Sequence, residues 1–439
     1  MPRCVRLALY AALIGVLAAC GTSQAQLSRQ VPNTVVRLGA AQQPTPSSTP
    51  SPTATPPSPT ISLWFPALLS YEVELHTAAL FSELLDAYSQ QSGQTVNLRL
   101  RRTDGLGGIF ETLSSAARVA PSALPDMVLL RARDLPRAAA ARLIFPLADD
   151  TLREDAYFTT GLALGQFENL QYGIPYLLEM QHTVYRGEGA PPNSLDALIS
   201  RQLPYLFTAK VSKGANSTLL SHYIALGGRL NDQNGDPLLD YEPLLTVMTR
   251  YAEAHAAGSL PNDVLDYAEV TQYWSPFVAG RNALVQVDST FFLRQRALAN
   301  SSDAETWQVA ALPRIASETQ SLSIVDGWLW VFTTDSAERQ NRALSLLRWL
   351  KETARFAEFS QQAGILPAQR AALAAWEDSA YATFAATLLD RALVPLADTV
   401  NLTAAGAIQE NFARILKGEA DGENAANTAL EKVRGARER

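Results

Sequence analysis

The sequence predicts an α/β fold for residues 61–439, because strand and helix signals alternate along this whole region. Short apolar runs bounded by turn residues are typical of buried strands. The longer segments between them carry apolar residues every three to four positions, as amphipathic helices do. The region corresponds to about two domains at ~150 residues each. No repeat of fixed period is visible, so a solenoid is not expected.

The first half of this region predicts three strands separated by two helices. A strand over 61–65 ends before a proline, and a helix with apolar residues in helical spacing follows until Gly93. Residues 96–101 alternate apolar and polar side chains, which indicates a strand with one buried face. A helix over 109–118 and an apolar strand over 125–130 complete a βαβαβ order. This order predicts a parallel sheet covered by helices.

The second half has the same character without repeating the sequence. Strands are predicted over 283–288, 307–312 and 327–332. Long helices alternate with them and have apolar faces at 343–350 and 412–416. Both halves are therefore expected to be α/β.

The amino terminus has the layout of a bacterial export signal. Two arginines precede an apolar run over 7–17, which is shorter than the ~20 residues that span a bilayer. Leu17-Ala18-Ala19-Cys20 then has the form of a lipobox, in which cleavage before the cysteine leaves it carrying a lipid. We therefore predict a signal peptide over 1–19 and lipidation of Cys20. The alternative is an ordinary secretory signal with an incidental cysteine.

Residues 20–60 are predicted to form a tether that holds the globular region away from the membrane. Within it, 16 of the 19 residues from 42 to 60 are Pro, Ser or Thr. This composition favours extended polyproline-II and offers little to bury. It also permits glycosylation, which the sequence leaves open.

Charge and cysteine content narrow the class of protein. The formal net charge is −7, and loss of the signal removes two arginines and no acidic residue, so nucleic acid is not an expected partner. Cys4 lies in the signal, which leaves Cys20 as the one thiol of the mature chain and excludes an internal disulfide. The fold must therefore be held by burial alone.

Apparent motifs for nucleotide and metal binding are incomplete. The glycines at 105–108 lack the third dinucleotide-binding glycine, since Phe110 stands there. A calcium-loop start at Asp232 meets Pro237 where an EF-hand needs glycine. An Asn234-Gly235 hairpin turn explains that segment better. HExxH, GxSxG, SxxK and phosphate-loop motifs are absent. We expect that the protein binds no metal and no cofactor and is not an enzyme. A pair of carboxylates that hydrolyses glycosides remains an alternative.

Several short segments occur in an order that is typical of one family. They are Leu124-Pro125-Asp126-Met127-Val128, Tyr172-Gly173-Ile174-Pro175-Tyr176, Phe277-Val278-Ala279-Gly280-Arg281, Asp326-Gly327-Trp328, Gly364-Ile365-Leu366-Pro367 and Ile415-Leu416-Lys417-Gly418-Glu419. With these landmarks over nearly all of 61–439, the chain resembles the bacterial extracellular solute-binding proteins of family 1. These are the maltose-binding-protein-like receptors of ABC importers.

The resemblance implies a periplasmic-binding-protein-like (type II) fold, with two α/β lobes around a hinged ligand cleft. Lobe one would hold 61–172 and about 327–372, and lobe two about 173–326 and 373–439. The protein is expected to be a monomer outside the cytoplasm, where the lipid predicted on Cys20 would anchor it to the membrane. It would close on a small-molecule solute and present it to ABC permease subunits.

The solute is expected to be a sugar or oligosaccharide. Sugars offer apolar C–H faces and rims of hydroxyls, which suit aromatic side chains combined with carboxylates, amides or arginines. A non-sugar solute, such as a polyamine or a phosphodiester, and a role in feeding a sensor remain alternatives.

Ligand-binding residues are expected after strands, because ligands of open α/β sheets lie outside the carboxyl ends of the strands. The candidates are Trp64, Phe65, Gly107, Arg131, Tyr176, Glu179, Ser289, Phe291, Asp326 and Trp328. Core packing is the alternative for Trp64, and a pair with Asp134 is the alternative for Arg131. Trp328 is preferred to Trp330 because it directly follows Asp326-Gly327.

Overall fold

A computed structural model describes residues 60–67, 76–153, 156–300, 305–316, 319–321, 323–394 and 401–438. The predicted signal, the predicted lipidation site Cys20 and the predicted tether up to residue 59 lie outside these residues. Within the described ranges, no helix is both long and apolar enough to cross a membrane.

The strands are short, except for β6. They are β1 (Thr60–Pro66), β2 (Thr95–Arg101), β3 (Met127–Arg131), β4 (Gln166–Phe167), β5 (Leu170–Gln171), β6 (Gly173–Tyr185), β7 (Tyr205–Leu206), β8 (Leu284–Asp288), β9 (Gln308–Ala310), β10 (Val325–Phe332) and β11 (Leu366–Pro367). Nine of these described strands form one mixed sheet with the order β2-β1-β3-β10-β6-β8-β7. In it β9 and β11 also pair with β6, whereas β4 and β5 form a separate hairpin.

Helices pack on this sheet and on one another. They are α1 (His76–Ser92), α2 (Ile109–Val119), α3 (Leu135–Ala140), α4 (Thr159–Leu164), α5 (Leu195–Arg201), α6 (Ser217–Ala225), α7 (Tyr241–Ala256), α8 (Thr271–Val278), α9 (Ser289–Leu298), α10 (Ala337–Leu350), α11 (Thr353–Ala363), α12 (Arg370–Ala374), α13 (Ser379–Leu389), α14 (Leu402–Leu416) and α15 (Gly422–Arg437). Several begin at a capping side chain. Ser194, Asn216, Asp288 and Asp421 each accept a hydrogen bond from the backbone N–H three residues further on.

The predicted βαβαβ order of the first half is confirmed. β1 pairs in parallel with β2 and with β3, with Leu63 opposite Leu98 on one side and Met127 on the other. The strands predicted in the second half are present as β8, β9 and β10. β10 runs antiparallel to β3. β10 lies in the second half of the chain, so no single helix connects it directly to β3. Such a strand–helix–strand connection is what makes neighbouring strands parallel.

The hairpin turn predicted at Asn234-Gly235 is also confirmed. Asn231 and Pro237 form an antiparallel bridge on either side of it. Gly235 has a φ of 84°, a left-handed conformation that glycine adopts without strain.

β6 joins the two halves of the sheet. Its first part, from Gly173 to Met180, pairs with β10. Its second part, from Gln181 to Tyr185, pairs with β8 and partly with β9. One strand therefore carries side chains into both halves, and its partner changes between Met180 and Gln181.

An aromatic cluster fills the core beside β1, β6 and β10. Phe65 stacks on Phe81 with ring centroids 4.3 Å apart, and Tyr176 stacks on Phe356 at 4.8 Å. Trp330 lies between them, 6.3 Å from Phe65 and 5.7 Å from Tyr176. Phe65 and Tyr176 are fully buried, so their observed contacts are those of core residues.

The C-terminal helices complete the second half. α14 and α15 pack against each other and against α7. Gly422 begins α15 at a close approach to α7, where a Cβ atom would lie 2.4 Å from the Cα of Thr249. Glycine is therefore required for the two helix backbones to meet there.

Candidate ligand-binding site

Two adjoining cavities lie where β3, β6 and β8 meet. One has a volume of about 640 Å³ and the other about 460 Å³. Arg131, Glu179, Gln181 and Asp288 line both of them. The two cavities therefore adjoin across these four side chains, and we call the two together the central cleft.

The strands bring these side chains together at the places where they end or change partners. Arg131 is the last residue of β3, and Asp288 is the last residue of β8. Glu179 and Gln181 lie two residues apart on β6, so both point to the same face of that strand. Asp326 on β10 is opposite Glu179 in the sheet register. Arg131 and Asp288 thus lie at the carboxyl ends of their strands, as expected for the ligand site of an open α/β sheet, whereas Glu179 and Gln181 lie where β6 changes partners.

Arg131 is held by two carboxylates. Its Nε lies 2.8 Å from Oδ2 of Asp326, and its Nη2 lies 2.8 Å from Oε2 of Glu179. The guanidinium also lies over the ring of Trp328, 5.0 Å from the ring centroid. These contacts fix the arginine between β3, β6 and β10.

Burial shifts the ionisation of the cleft residues. It raises the pKa of Glu179, which the Arg131 guanidinium opposes. It also raises the pKa of Asp288, which a hydrogen bond from the backbone N–H of Phe291 opposes. Burial would lower the pKa of Arg131, but the carboxylates of Glu179 and Asp326 outweigh it and raise that pKa. The guanidinium therefore stays charged.

Two polar side chains of the cleft keep hydrogen-bonding capacity. Asp288 uses Oδ1 to cap α9, and within the described ranges no cationic side chain forms an ion pair with its carboxylate. Gln181 uses Oε1 to accept from Ser217 Oγ at 3.1 Å and from Gln286 Nε2 at 2.8 Å. These bonds orient the amide of Gln181 and leave its N–H groups for the cleft.

Phe291 forms an apolar wall in the larger part of the cleft. It packs edge-on against Trp274, with ring centroids 5.3 Å apart and an angle of 88° between the planes. Trp274 is in turn held by a hydrogen bond from its Nε1 to Oε1 of Gln295 at 3.2 Å. The aromatic surface is therefore fixed in place beside the charged and amide groups.

Comparison with known families assigns the chain. Residues 83–386 match the family described as bacterial extracellular solute-binding protein. The chain belongs to this family. Its location outside the cytoplasm follows from that membership, as the sequence predicted. Among curated proteins, no sequence matches the chain.

Solved structures share the fold of this solute-binding protein. The sugar-binding protein MalE from Xanthomonas citri is 17% identical, with 86% of this chain and 97% of that chain covered and a TM-score of 0.69. The cyclic alpha-maltosyl-1,6-maltose binding protein from Arthrobacter globiformis is 16% identical, with 86% of this chain and 99% of that chain covered and a TM-score of 0.67. An ABC transporter solute binding protein from Thermotoga lettingae, bound with alpha-D-tagatose, is 17% identical, with 86% of this chain and 100% of that chain covered and a TM-score of 0.61. The predicted periplasmic-binding-protein-like fold is thereby confirmed.

Four of the ten candidate residues of the solute-binding protein line the central cleft. They are Arg131, Glu179, Phe291 and Asp326. The alternative pair of Arg131 with Asp134 does not form, since Asp134 pairs with Arg137 at 2.8 Å.

The aromatic candidates other than Phe291 lie in the core. Trp64 is 2% exposed, beneath the Arg101 guanidinium, and Trp328 is buried beneath Arg131. Phe65 and Tyr176 belong to the aromatic cluster described above. None of these four lines the central cleft, because the largest apolar side chains at the strand ends turn into the core. Core packing is the interpretation that their burial favours.

Ser289 and Gly107 have local structural roles. Ser289 is fully buried, and its Oγ accepts a hydrogen bond from the backbone N–H of Met180 at 3.1 Å, which ties α9 to β6. Gly107 lies in an exposed loop with a φ of 81°. Neither residue lines the central cleft.

Gln181, Asp288 and Arg294 line the cleft without having been singled out from the sequence. Asp288 ends a predicted strand, which is the same signal that identified Arg131. Gln181 lies in the middle of β6 and Arg294 lies within α9, where no local pattern distinguishes a cleft residue from an ordinary polar one.

Proposed function

We propose that this solute-binding protein is the lipid-anchored receptor of an ABC importer, and that it captures a sugar or oligosaccharide in the central cleft. The observation that carries the proposal is the convergence of Arg131, Glu179, Gln181 and Asp288 on one cleft, beside the aromatic wall of Phe291. Binding, and not bond-making, is the chemistry that this arrangement supports.

The mixture of groups matches the chemistry of a sugar. Fixed carboxylate, amide and guanidinium groups can bond to neighbouring hydroxyls, and a ligand that leaves such buried groups unpaired binds more weakly. The ring of Phe291 offers apolar surface to the C–H face of a sugar. The described lining of the cleft has three arginines and four carboxylates, a near balance that favours a neutral polar solute over a multiply charged one; they are Arg131, Arg133, Arg294, Glu179, Glu269, Asp288 and Asp326.

The proposed lobes are 61–172 with about 327–372, and about 173–326 with 373–439. The pairing of β6 supports two lobes that meet within this strand, because the strand pairs with β10 before Gln181 and with β8 from there on, which places the crossing point nearer 180–181 than 172–173. A ligand that contacts both Arg131 on β3 and Asp288 on β8 would stabilise a closed state, which permease subunits would then recognise.

The structural relatives support a sugar as the ligand class. One binds cyclic alpha-maltosyl-1,6-maltose, one is a sugar-binding protein, and one is bound with alpha-D-tagatose. The ligands named are uncharged and rich in hydroxyls, like the solute that the cleft favours here.

Lipidation of Cys20 and the tether over 20–60 complete the proposal. The lipidated protein should partition into the detergent phase of a phase-separating detergent. The Cys20→Ser variant should stay in the aqueous phase or remain unprocessed. Equal partitioning of the mature forms of both proteins would argue for a secreted protein without a lipid.

Thermal unfolding of the purified full-length protein in detergent tests the ligand class, with sugars, polyamines and phosphodiesters as additives. A ligand at ~100 times its Kd adds about 2.7 kcal/mol to the free energy of unfolding, so the midpoint should rise with a sugar. A rise with polyamines or phosphodiesters alone would contradict a sugar ligand. The bound sugar should be recovered intact, since cleavage products would indicate a hydrolase.

Two variants connect binding to the cleft, and a cell assay connects it to import. Asp288→Asn should weaken binding of the sugar, whereas Asp335→Asn, at an exposed aspartate that does not line the cleft, should not. Cells that lack the protein should lose uptake of the sugar. Normal uptake combined with a lost response to the sugar would instead assign the protein to a sensor.

A further inference from the structure

A third cavity lies outside the central cleft, beside the hairpin of β4 and β5. Its volume is about 500 Å³. Leu147 and Leu152 line it from the preceding loop, and Asn169 and Leu170 line it from the hairpin. We call this space the hairpin cavity.

The hairpin cavity adjoins the central cleft at Gln166. This side chain lines both the hairpin cavity and the 460 Å³ part of the central cleft. Gln166 is exposed at the start of β4, so its amide can be reached from either space. A ligand that extends out of the central cleft past Gln166 would therefore enter the hairpin cavity next.

The hairpin is held in one position by the chain around it. Gln171 donates from Nε2 to the carbonyl oxygen of Gly173 at 2.7 Å. Gly165 has no room for a side chain, because a Cβ atom there would lie 2.5 Å from that same oxygen. The turn residues Glu168 and Asn169 have left-handed φ angles of 48° and 63°. Left-handed residues at both central positions are what a two-residue type I′ hairpin turn requires, so β4 and β5 form a regular tight hairpin along one side of the cavity.

The lining of the hairpin cavity combines apolar and polar groups without a cation. Leu170 is 51% exposed and presents a large apolar side chain to the cavity. Asp149, Gln166 and Asn169 add carboxylate and amide groups. Neither lysine nor arginine is among the described residues of the lining, so an anionic group is disfavoured. The C–H face and the hydroxyls of a neutral sugar unit both find partners there.

We propose that the hairpin cavity binds a further unit of a ligand whose first unit occupies the central cleft. The receptor is then selective for an oligosaccharide over a monosaccharide. This inference rests on the proposed function, which concerns the central cleft, and adds to it a second binding site and a minimum ligand length.

Calorimetry on the full-length protein in detergent tests the dependence of affinity on ligand length. The probes are α-1,4-linked glucose, β-1,4-linked glucose and β-1,4-linked xylose series of one to four units. In the series that binds, we expect the longer members to bind at least about tenfold more tightly than the monosaccharide. A monosaccharide that binds as tightly as its longer homologues overturns this inference and leaves the proposed function standing. Failure of every member to bind counts against both.

Two variants test whether the dependence of affinity on ligand length arises in the hairpin cavity. Leu170→Gln and Asp149→Asn change exposed side chains that line the hairpin cavity and not the central cleft, so the fold should be retained. Each should reduce the advantage of the longer ligands and leave the affinity for the monosaccharide unchanged. Leu402→Gln, at a leucine on α14 that is 59% exposed, is the matched control and should not alter the series. An undiminished length advantage in both variants overturns the assignment to the hairpin cavity.

Discussion

Arg131 and Glu179 lie 48 residues apart in the sequence and form an ion pair of 2.8 Å at the boundary between the two parts of the central cleft. Their side chains are only 17% and 16% exposed, so the pair is shielded from most of the solvent. Asp326 holds the other side of the same guanidinium. One arginine thus joins the end of β3 to the neighbouring β10 and to β6 on the far side of β10, and its loss should affect stability as well as binding.

Replacement of Arg131 by glutamine should lower the free energy of unfolding by about 3 kcal/mol, because the two partner carboxylates lose their counter-charge in a largely buried site. Urea unfolding of the purified protein measures this. Arg133→Gln is the matched control, since its pair with Asp104 is about half exposed on both sides and should contribute less than ~1 kcal/mol. Equal losses in the two variants would show that the cleft pair is no stronger than a surface pair.

Two buried histidines should make the protein less stable in acid. Burial lowers the pKa of His182 and of His222 from the usual 6.5 to about 4. Between these values the unfolded chain binds protons that the native protein does not. The free energy of unfolding is therefore expected to fall as the pH drops from 6.5 to 4, by up to about 3 kcal/mol for each histidine.

Urea unfolding at several pH values, for the wild type and for His222→Gln, checks this expectation. His222 bonds through Nδ1 to Tyr251 Oη at 2.7 Å and through Nε2 to the carbonyl oxygen of Pro313 at 2.8 Å. Glutamine can keep part of this bonding but does not titrate, so the variant should lose less stability between pH 6.5 and 4. The same pH dependence in both proteins would assign the effect to other groups.

A methyl group at Gly422 should destabilise the contact between α15 and α7. Gly422→Ala places a Cβ atom 2.4 Å from the Cα of Thr249, where the neighbour is backbone and cannot turn away. We expect a loss of about 1–3 kcal/mol in urea unfolding. Gly406→Ala within α14 has no atom within 4 Å of the new Cβ, and it should instead gain about 0.5–1 kcal/mol from helix propensity. Stability gains at both positions would contradict the close approach.

Loss of the aromatic wall should weaken sugar binding. Phe291→Ala removes the apolar face of the larger part of the cleft, and we expect about tenfold weaker binding by calorimetry. Phe110→Ala is the matched control, because Phe110 is also a partly buried phenylalanine but does not line the cleft. If both variants bind as the wild type does, Phe291 is not a contact of the ligand.

Local patterns in the sequence were enough to place most of the secondary structure. The alternation at 96–101 and the apolar run after Pro125 predict β2 and β3, because the side-chain period of a strand is a property of the strand itself. The relative direction of paired strands was harder to predict. Nothing in the residues around Trp328 shows that β10 runs antiparallel to β3, since that pairing joins segments about 200 residues apart, as the Arg131–Asp326 separation of 195 illustrates.

For the candidate site, the sequence likewise predicted single residues but not how they come together. The rule that ligands lie beyond strand ends identified Arg131 from the sequence, and the crossing segments implied by the family resemblance added Glu179 and Asp326. Their union in one ion-pair cluster depends on the register of β3, β6 and β10. The same reasoning also selected Trp64 and Tyr176, which the tertiary structure buries in the core.

The sequence by itself therefore determined the family, the α/β class and the positions of the strand ends, because each of these depends on local periodicity or on short segments in a recognisable order. Only the tertiary structure decided which side chains face the central cleft, that Gln181 and Asp288 belong to it, and that the hairpin cavity adjoins it at Gln166. The physical reason is that a residue at a strand end can turn toward the core or toward the cleft. That choice depends on packing and pairing with residues far away in the chain.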